Sequence, residues 1–144
     1  MEVGNESLAW LARRDGSVVL GHGPFTESAT APPDGVAFHL RDFALRDPLP
    51  WKIPGRVERL AAGEFAERFA DAPEIRCRWQ PLDAVPFSGV FQEIMSSIHG
   101  GLFEKTVPVV TEQGVADQAP GRSIIAAVAR RTAPLQSYGW MEAG

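Results

Sequence analysis

Hydrophobic positions recur with a helical period in the centre of the chain, within residues 87–112. Their spacing of three and four places one apolar stripe on a helix, formed by Phe87, Phe91, Ile94, Ile98 and Leu102. Ser88 is expected to cap the helix, since its hydroxyl can accept from a free backbone N–H in the first turn. Gly100-Gly101 is expected to end it, because glycine adopts the left-handed conformation without a Cβ clash.

The residues that follow this helix alternate with a period of two. Positions 106–111 are β-branched except for Pro108, which predicts a strand at a sheet edge or with a bulge. On that strand Lys105, Val107 and Val109 would share one face. From the local sequence alone, the commoner outcome is that Lys105 ends the strand and reaches solvent along its own apolar stem.

The N-terminal half combines strand patterns with one short helix. Asp15-Gly16 between the apolar runs 7–13 and 17–20 predicts a β-hairpin, because both residues tolerate positive φ. Alternation of apolar and polar residues predicts two half-buried strands, over 36–43 and 74–82. The second strand places Cys77 on its apolar side as a small buried hydrophobe. Phe65 and Phe69, four residues apart, predict an amphipathic helix over 61–70.

Glycine and proline mark the predicted connections. We expect a turn at 21–24, loops over 26–35 and 113–121, and an extended connector over 47–55 in which Trp51 covers the core. An alanine-rich helix over 123–131 and an aromatic strand over 135–141 complete the chain. The pattern predicts an α/β (α+β) fold with a mixed sheet and about three helices.

Composition excludes several classes of function. The chain has 144 residues, 44% of them hydrophobic and 22% charged, which is typical of one globular domain. A net charge of −4 argues against a nucleic-acid partner, and no apolar run approaches the length that spans a membrane. The N-terminus lacks a secretory pattern and Cys77 has no second cysteine to pair with, so the cytoplasm is the expected compartment. The three histidines are too far apart in sequence for zinc-ligand spacing.

The central stretch resembles the first signature of the chorismate-utilising enzymes, in which a helix ends at glycine and a lysine-led strand follows. The pattern F-x-x-I-x-x-x-I-x-x-G-x-x-x-K-x-V-P-V-V is carried here by Phe91, Ile94 or Met95, Ile98, Gly101, Lys105, Val107 and Val109. Lysine at position 105 is similar to the water-adding members, whereas amine-adding members usually carry glutamine. Thr106, Pro108 and Val110 depart from the family pattern, which has valine, leucine and arginine there.

The resemblance implies a fold and a chemistry. It implies a largely antiparallel sheet, with residues 1–144 forming a single partial domain equivalent to the N-terminal part of an isochorismate synthase-like enzyme. Lys105 would be the base that activates water for the conversion of chorismate to isochorismate. The Mg²⁺ ligands and a glutamate acid would belong to a complementary C-terminal half or a second chain, without which the segment is expected to be inactive. The alternative is a non-catalytic ligand-binding or assembly module that retains the first half of the fold.

Overall fold

The computed structural model describes residues 6–81, 83–130 and 135–143. Within these ranges the chain is a mixed α+β protein, and every described strand pair is antiparallel, which confirms the predicted fold class. The strands are β1 (Leu8–Ala12), β2 (Ser17–Ser28), β3 (Phe38–His39), β4 (Trp51–Ala61), β5 (Cys77–Trp79), β6 (Gly114–Ala116) and β7 (Tyr138–Met141). The helices are α1 (Ala62–Arg68), α2 (Val85–His99) and α3 (Gly121–Ala129).

The chain divides into two compact units. The first unit comprises Met1–Glu74 and Gly121–Gly144, and the second comprises Ile75–Pro120. A five-stranded sheet with the order β3-β4-β2-β1-β7 lies in the first unit, together with α1 and α3. The second unit holds α2 and the two-stranded ribbon β5-β6.

The β1–β2 hairpin forms where the sequence predicts it. Gly16 adopts φ 81°, and the Asp15 carboxylate accepts from both the backbone N–H and the hydroxyl of Ser17. These local bonds fix a tight reversal, as an Asp-Gly turn requires. The register pairs Leu11 with Val19 and Leu8 with His22.

The core lies between one face of the sheet and the two helices of the first unit. Alternate residues of β1 and β2 point to that face, and Phe65, Phe69 and Ile125 pack against them with at most 2% of their surface exposed. The strand residues in this cluster are Leu8, Trp10, Val18 and Leu20. The predicted helix over 61–70 is confirmed as α1, and the helix over 123–131 as α3 within its described residues.

Four predicted connections are wrong, wholly or in part, because strands occupy them. β2 runs on to Ser28, inside the loop expected over 26–35, and β6 lies inside the loop expected over 113–121. Residues 21–24 continue β2 rather than turning, and the irregularity that glycine and proline introduce is a register shift between His22 and Phe25. The connector expected over 47–55 is replaced from Trp51 onward by β4. β3 pairs with β4 only at Trp51 and Lys52, so Pro54 lies where one side of β4 is an open edge that tolerates proline. The strand predicted over 36–43 is reduced to Phe38–His39.

The second unit corrects three further predictions. Ser88 does not cap α2, which begins after Ala84, and the Ser88 hydroxyl donates instead to the Ala84 carbonyl. Residues 106–111 form no strand; the strand in this region is β6, which pairs with β5. Cys77 is exposed rather than buried, and the strand predicted over 74–82 is reduced to β5, whose three residues are all exposed.

Candidate site around Lys105

The end of α2 sets the direction in which the chain reaches Lys105. The Gly101 N–H donates to the Ile98 carbonyl at 3.0 Å, and the Leu102 N–H donates to the Ser97 carbonyl at 3.0 Å. With Gly101 at φ 74°, these two bonds form a Schellman motif, which closes the helix and turns the chain away from its axis. The predicted glycine stop is therefore confirmed, and Lys105 follows it by four residues.

Lys105 itself lies on an exposed, extended segment. It forms no hydrogen bond or salt bridge with any described residue, and it does not lie on a strand. Val107 is 72% exposed and Val109 is 83% exposed, so the apolar neighbours predicted beside Lys105 are present but uncovered. In this chain Lys105 is therefore exposed and lines no cavity described here.

The apolar stripe of α2 is only partly covered. No residue of α2 is buried, and Phe91 retains 45% of its surface exposed although its ring stacks on that of Phe87 at 6.1 Å. An amphipathic helix normally buries such a stripe against another element. We call the exposed apolar side chains of the stripe and of the Lys105 segment together the α2–Lys105 surface (Phe87 to Val109).

A cavity of about 410 Å³ in the second unit does not include Lys105. Its walls come from the residues before α2, from the first turn of α2 and from the extended segment after Lys105. The lining residues are Gln80, Pro81, Asp83, Pro86, Phe87, Val90 and positions 108–113. The carboxylates there are Asp83 and Glu112, and Asp83 already accepts from the Val85 N–H. The structure therefore separates the predicted base from this cavity.

The residues needed for a metal are not assembled in the described part of the chain. Within 6–81, 83–130 and 135–143, no three His, Cys, Asp or Glu side chains lie close enough together to hold a metal ion. Mg²⁺ requires several oxygen ligands, so the described residues do not fit the ion that the resemblance implies. Likewise, no described helix is long and apolar enough to cross a membrane.

A buried histidine in the first unit is absent from the sequence prediction, which placed His22 in a flexible turn. His22 is 4% exposed and lies between two carboxylates. Its Nδ1 is 2.7 Å from Glu6 Oε1, and its Nε2 is 2.7 Å from Glu58 Oε1, although the second contact lacks hydrogen-bond geometry. The available signal was the period of two that begins with Val18 and Leu20, because His22 is the next residue on their buried face of β2.

Glu58 is the charged centre of this cluster. It accepts hydrogen bonds from Arg68 of α1 and from Arg56 of β4. The Arg68 hydrogen bond, followed by that of Arg56, lowers the pKa of Glu58 to about 2. The carboxylate is therefore ionised at neutral pH and joins β4, α1 and His22 of β2.

No protein-family model, curated protein or solved structure matches this chain.

Proposed function

We propose that this chain forms the N-terminal segment of an isochorismate synthase-like enzyme, with Lys105 as the base that activates water. The observation that carries the proposal is the order of local structures along one sequence pattern. The Phe91–Ile98 repeat lies on α2, the Schellman motif at Gly101 ends it, and Lys105 follows on an exposed segment without regular secondary structure. The helix and the glycine stop are in the order that the resemblance leads one to expect, and the proposal requires that the strand after Lys105 forms only when the complementary half pairs with it.

The chemistry needs a neutral lysine. In the proposed reaction, water adds to one ring carbon of chorismate and hydroxide leaves from another, and the base takes a proton from the attacking water. An amine in bulk water is protonated at neutral pH, whereas burial disfavours the charged form. A complementary half that covers the α2–Lys105 surface would supply this burial, and the exposed Val107 and Val109 beside Lys105 support such a role.

The ligands for Mg²⁺ and the acid that protonates the leaving group would belong to the complementary C-terminal half or to a second chain. Mg²⁺, when bound there, would stabilise negative charge on the substrate. The contribution of the present chain is the general base and part of the wall around chorismate. Without its complement, the segment is expected to bind no metal and to show no turnover.

The alternative function is a non-catalytic ligand-binding or assembly module. One observation favours it: Lys105 has no partner among the described residues and does not line the cavity of the second unit. A module of this kind would use the α2–Lys105 surface for association alone.

The test is to supply the complementary half and measure chorismate turnover with three substitutions at one position. Lys105→Ala should lower kcat by about 10²- to 10⁴-fold while substrate affinity stays nearly unchanged, since a general base contributes about that much. Lys105→Gln retains polarity and length but cannot accept the proton. Lys105→Arg retains the positive charge but does not deprotonate at neutral pH. Both should resemble Lys105→Ala.

Arg59→Gln is the matched control, because Arg59 is an exposed cation that lies in the first unit and outside the Glu58 cluster. It should leave kcat unchanged. Full turnover by Lys105→Gln would contradict the assignment of the base. Calorimetry of the completed enzyme with chorismate, with and without Mg²⁺, separates the two functions: a folded complex that releases no heat under either condition favours the assembly module.

A further inference from the structure

The connection between β3 and β4 presents two apolar side chains to solvent. We call residues 40–50 the β3–β4 loop, and within it Phe43 is fully exposed and Leu45 is 62% exposed. Leu45 adopts φ 57°, in the left-handed region that a leucine rarely occupies. Such a conformation persists only where the surrounding structure enforces it, and it occurs most often at functional sites.

Hydrogen bonds within the β3–β4 loop enforce this conformation. The Leu45 N–H donates to the Asp42 carbonyl at 3.1 Å, and the Arg46 N–H donates to the Asp42 carboxylate at 2.8 Å. The Leu40 N–H closes the base of the loop, because it donates to the Pro50 carbonyl at 2.8 Å. The exposed tip is therefore preorganised, so a partner that receives it loses little binding energy in ordering it.

Two guanidinium groups flank this apolar tip. Arg41 and Arg46 are exposed, and neither forms a salt bridge with any residue that the structure describes. The carboxylates of the loop are already engaged, since Asp42 accepts from the backbone of the tip and Asp47 pairs with Lys52 at 3.3 Å. Unpaired guanidinium groups favour carboxylates, with which they form charge-assisted hydrogen bonds. The loop thus fits a partner surface that is apolar in the middle and carries carboxylates beside it.

The cavity of the second unit has this complementary character. Its apolar wall includes Phe87, Val90 and Val109, and its carboxylates are Asp83 and Glu112. Among the described residues that line it, none is Lys, Arg or His. Glu112 forms no salt bridge within the described part of the chain. A volume of about 410 Å³ admits an aromatic side chain, and aromatic and arginine side chains are enriched at protein interfaces.

We propose that the β3–β4 loop of one copy of this chain inserts Phe43 into the second-unit cavity of another copy. Arg41 and Arg46 pair with the carboxylates of that cavity, so the contact is apolar in the middle and charged around it. A second copy is the partner because one sequence carries both complementary surfaces, and because Phe43 is fully exposed in the single chain.

The contact joins two different surfaces, which makes it heterologous. A dimer formed in this way keeps one unused loop and one unused cavity, so further copies add as the concentration rises. The contact is independent of the function proposed above, because it uses neither Lys105 nor chorismate. It concerns the chain without its complementary half, whose binding to the α2–Lys105 surface would cover Phe87 and Val109 of the cavity.

The test is to mix two variants, each of which is defective in one of the two surfaces. Phe43→Ser removes the anchor of the loop, and Glu112→Arg reverses a charge in the cavity. In sedimentation velocity, each variant alone should associate about tenfold or more weakly than the parent chain, because each loses a central contact. An equimolar mixture should recover the parent affinity, because the loop of the Glu112→Arg copy meets the intact cavity of the Phe43→Ser copy. The mixture should stop at a 1:1 dimer, since the remaining loop and the remaining cavity are both defective.

Substitutions outside the two surfaces are the controls. Leu11→Ser changes an exposed apolar residue of the first unit, and Glu104→Arg changes an exposed carboxylate of the second unit. Both should leave association unchanged. The proposal is overturned if the parent chain is monomeric at every concentration, or if the controls weaken association as much as Phe43→Ser and Glu112→Arg do. It is equally overturned if the mixture associates no better than its components or grows beyond a dimer.

Discussion

At the scale of single residues, the Glu58 carboxylate connects three elements of the first unit. It meets Arg68 of α1, Arg56 of β4 and His22 of β2, and only about a fifth of its side chain is exposed. Because the folded-state pKa lies below the ordinary value of 4.5, the ionised form is favoured by folding. The stabilisation is therefore complete above that ordinary value and is lost as the pH falls from about 4.5 towards about 2.

We predict that Glu58→Gln lowers the free energy of unfolding at neutral pH by about 1–3 kcal/mol, since two arginines and His22 lose a charged partner. The difference in unfolding free energy between this variant and the parent protein should shrink as the pH falls from about 4.5 towards about 2. Urea unfolding at a series of pH values measures this difference. Glu27→Gln is the control, because Glu27 Oε1 also lies 2.7 Å from a cation, the Lys52 Nζ, but its side chain is 54% exposed. This substitution should lower the free energy of unfolding by about 0.5 kcal/mol or less. A constant difference at all pH values would contradict the linkage.

Two glycines provide a second residue-scale prediction. A Cβ at Gly21 would lie 2.5 Å from the Phe38 ring and 3.0 Å from Pro54 Cβ, whereas a Cβ at Gly63 would meet nothing within 4 Å. Gly21→Ala should therefore destabilise the protein by about 1–3 kcal/mol through overpacking. Gly63→Ala should stabilise it by roughly 0.5–1 kcal/mol, since alanine is the better helix former and Gly63 lies in α1. Thermal unfolding of both variants tests the pair, and equal effects would contradict the packing described for Phe38.

At the scale of elements, α1 and α2 share an amphipathic pattern but differ in what covers it. Phe65 of α1 is 1% exposed, whereas Phe91 of α2 is 45% exposed. Phe65→Ala should cost about 3–5 kcal/mol, because it empties a core site. Phe91→Ala should cost less, about 1–2 kcal/mol, since close to half of its surface stays in water. Urea unfolding of the two variants measures the contrast, and a large loss in Phe91→Ala would show that α2 packs against other parts of the chain.

The elements that sequence reasoning placed well are those with local determinants. The hairpin depends on Asp15-Gly16, the end of α2 depends on Gly100-Gly101, and α1 depends on Phe65 and Phe69. Each of these is fixed by conformations or contacts within a few residues. The strand β7 was also expected, and its pairing with β1 provides the neighbour that a strand needs.

The elements that sequence reasoning missed depend on distant partners. Residues 106–111 have strand-forming side chains, but without a neighbouring strand to bond with they remain extended and unpaired. β4 tolerates Pro54 because β3 stops short of it, and no local pattern reveals where a neighbouring strand stops. His22 was assigned to a turn because the glycines and proline around it outweighed its alternation with Val18 and Leu20, and its partners Glu6 and Glu58 lie far from it in sequence. Lys105 was located on its segment, but its surroundings in a complete enzyme stay a prediction.

At the scale of the whole molecule, the exposed apolar side chains predict association of the isolated chain. Leu102 is 77% exposed and Val109 is 83% exposed, and both lie on the α2–Lys105 surface with Phe91. Contiguous apolar patches of this kind mark interaction sites or lead to aggregation. Light scattering of the isolated chain should show self-association that falls when Leu102→Ser and Val109→Ser are introduced. Leu11→Ser and Val115→Ser serve as the control, because they make the same replacements at exposed positions outside this surface. A monomer at all concentrations would contradict a surface that requires a partner.

The pairing of β1 with β7 has a consequence for how the protein is made. Leu11 lies opposite Tyr138 in the sheet, although more than a hundred residues separate them in the chain. A ribosome adds roughly 5–20 residues per second, so β1 emerges on the order of ten seconds before β7 exists. β1 can form its hairpin with β2 during that interval, but the other edge of β1 stays unpaired until β7 has been synthesised. Its backbone donors and acceptors meanwhile bond to water or to any factor that binds the nascent chain.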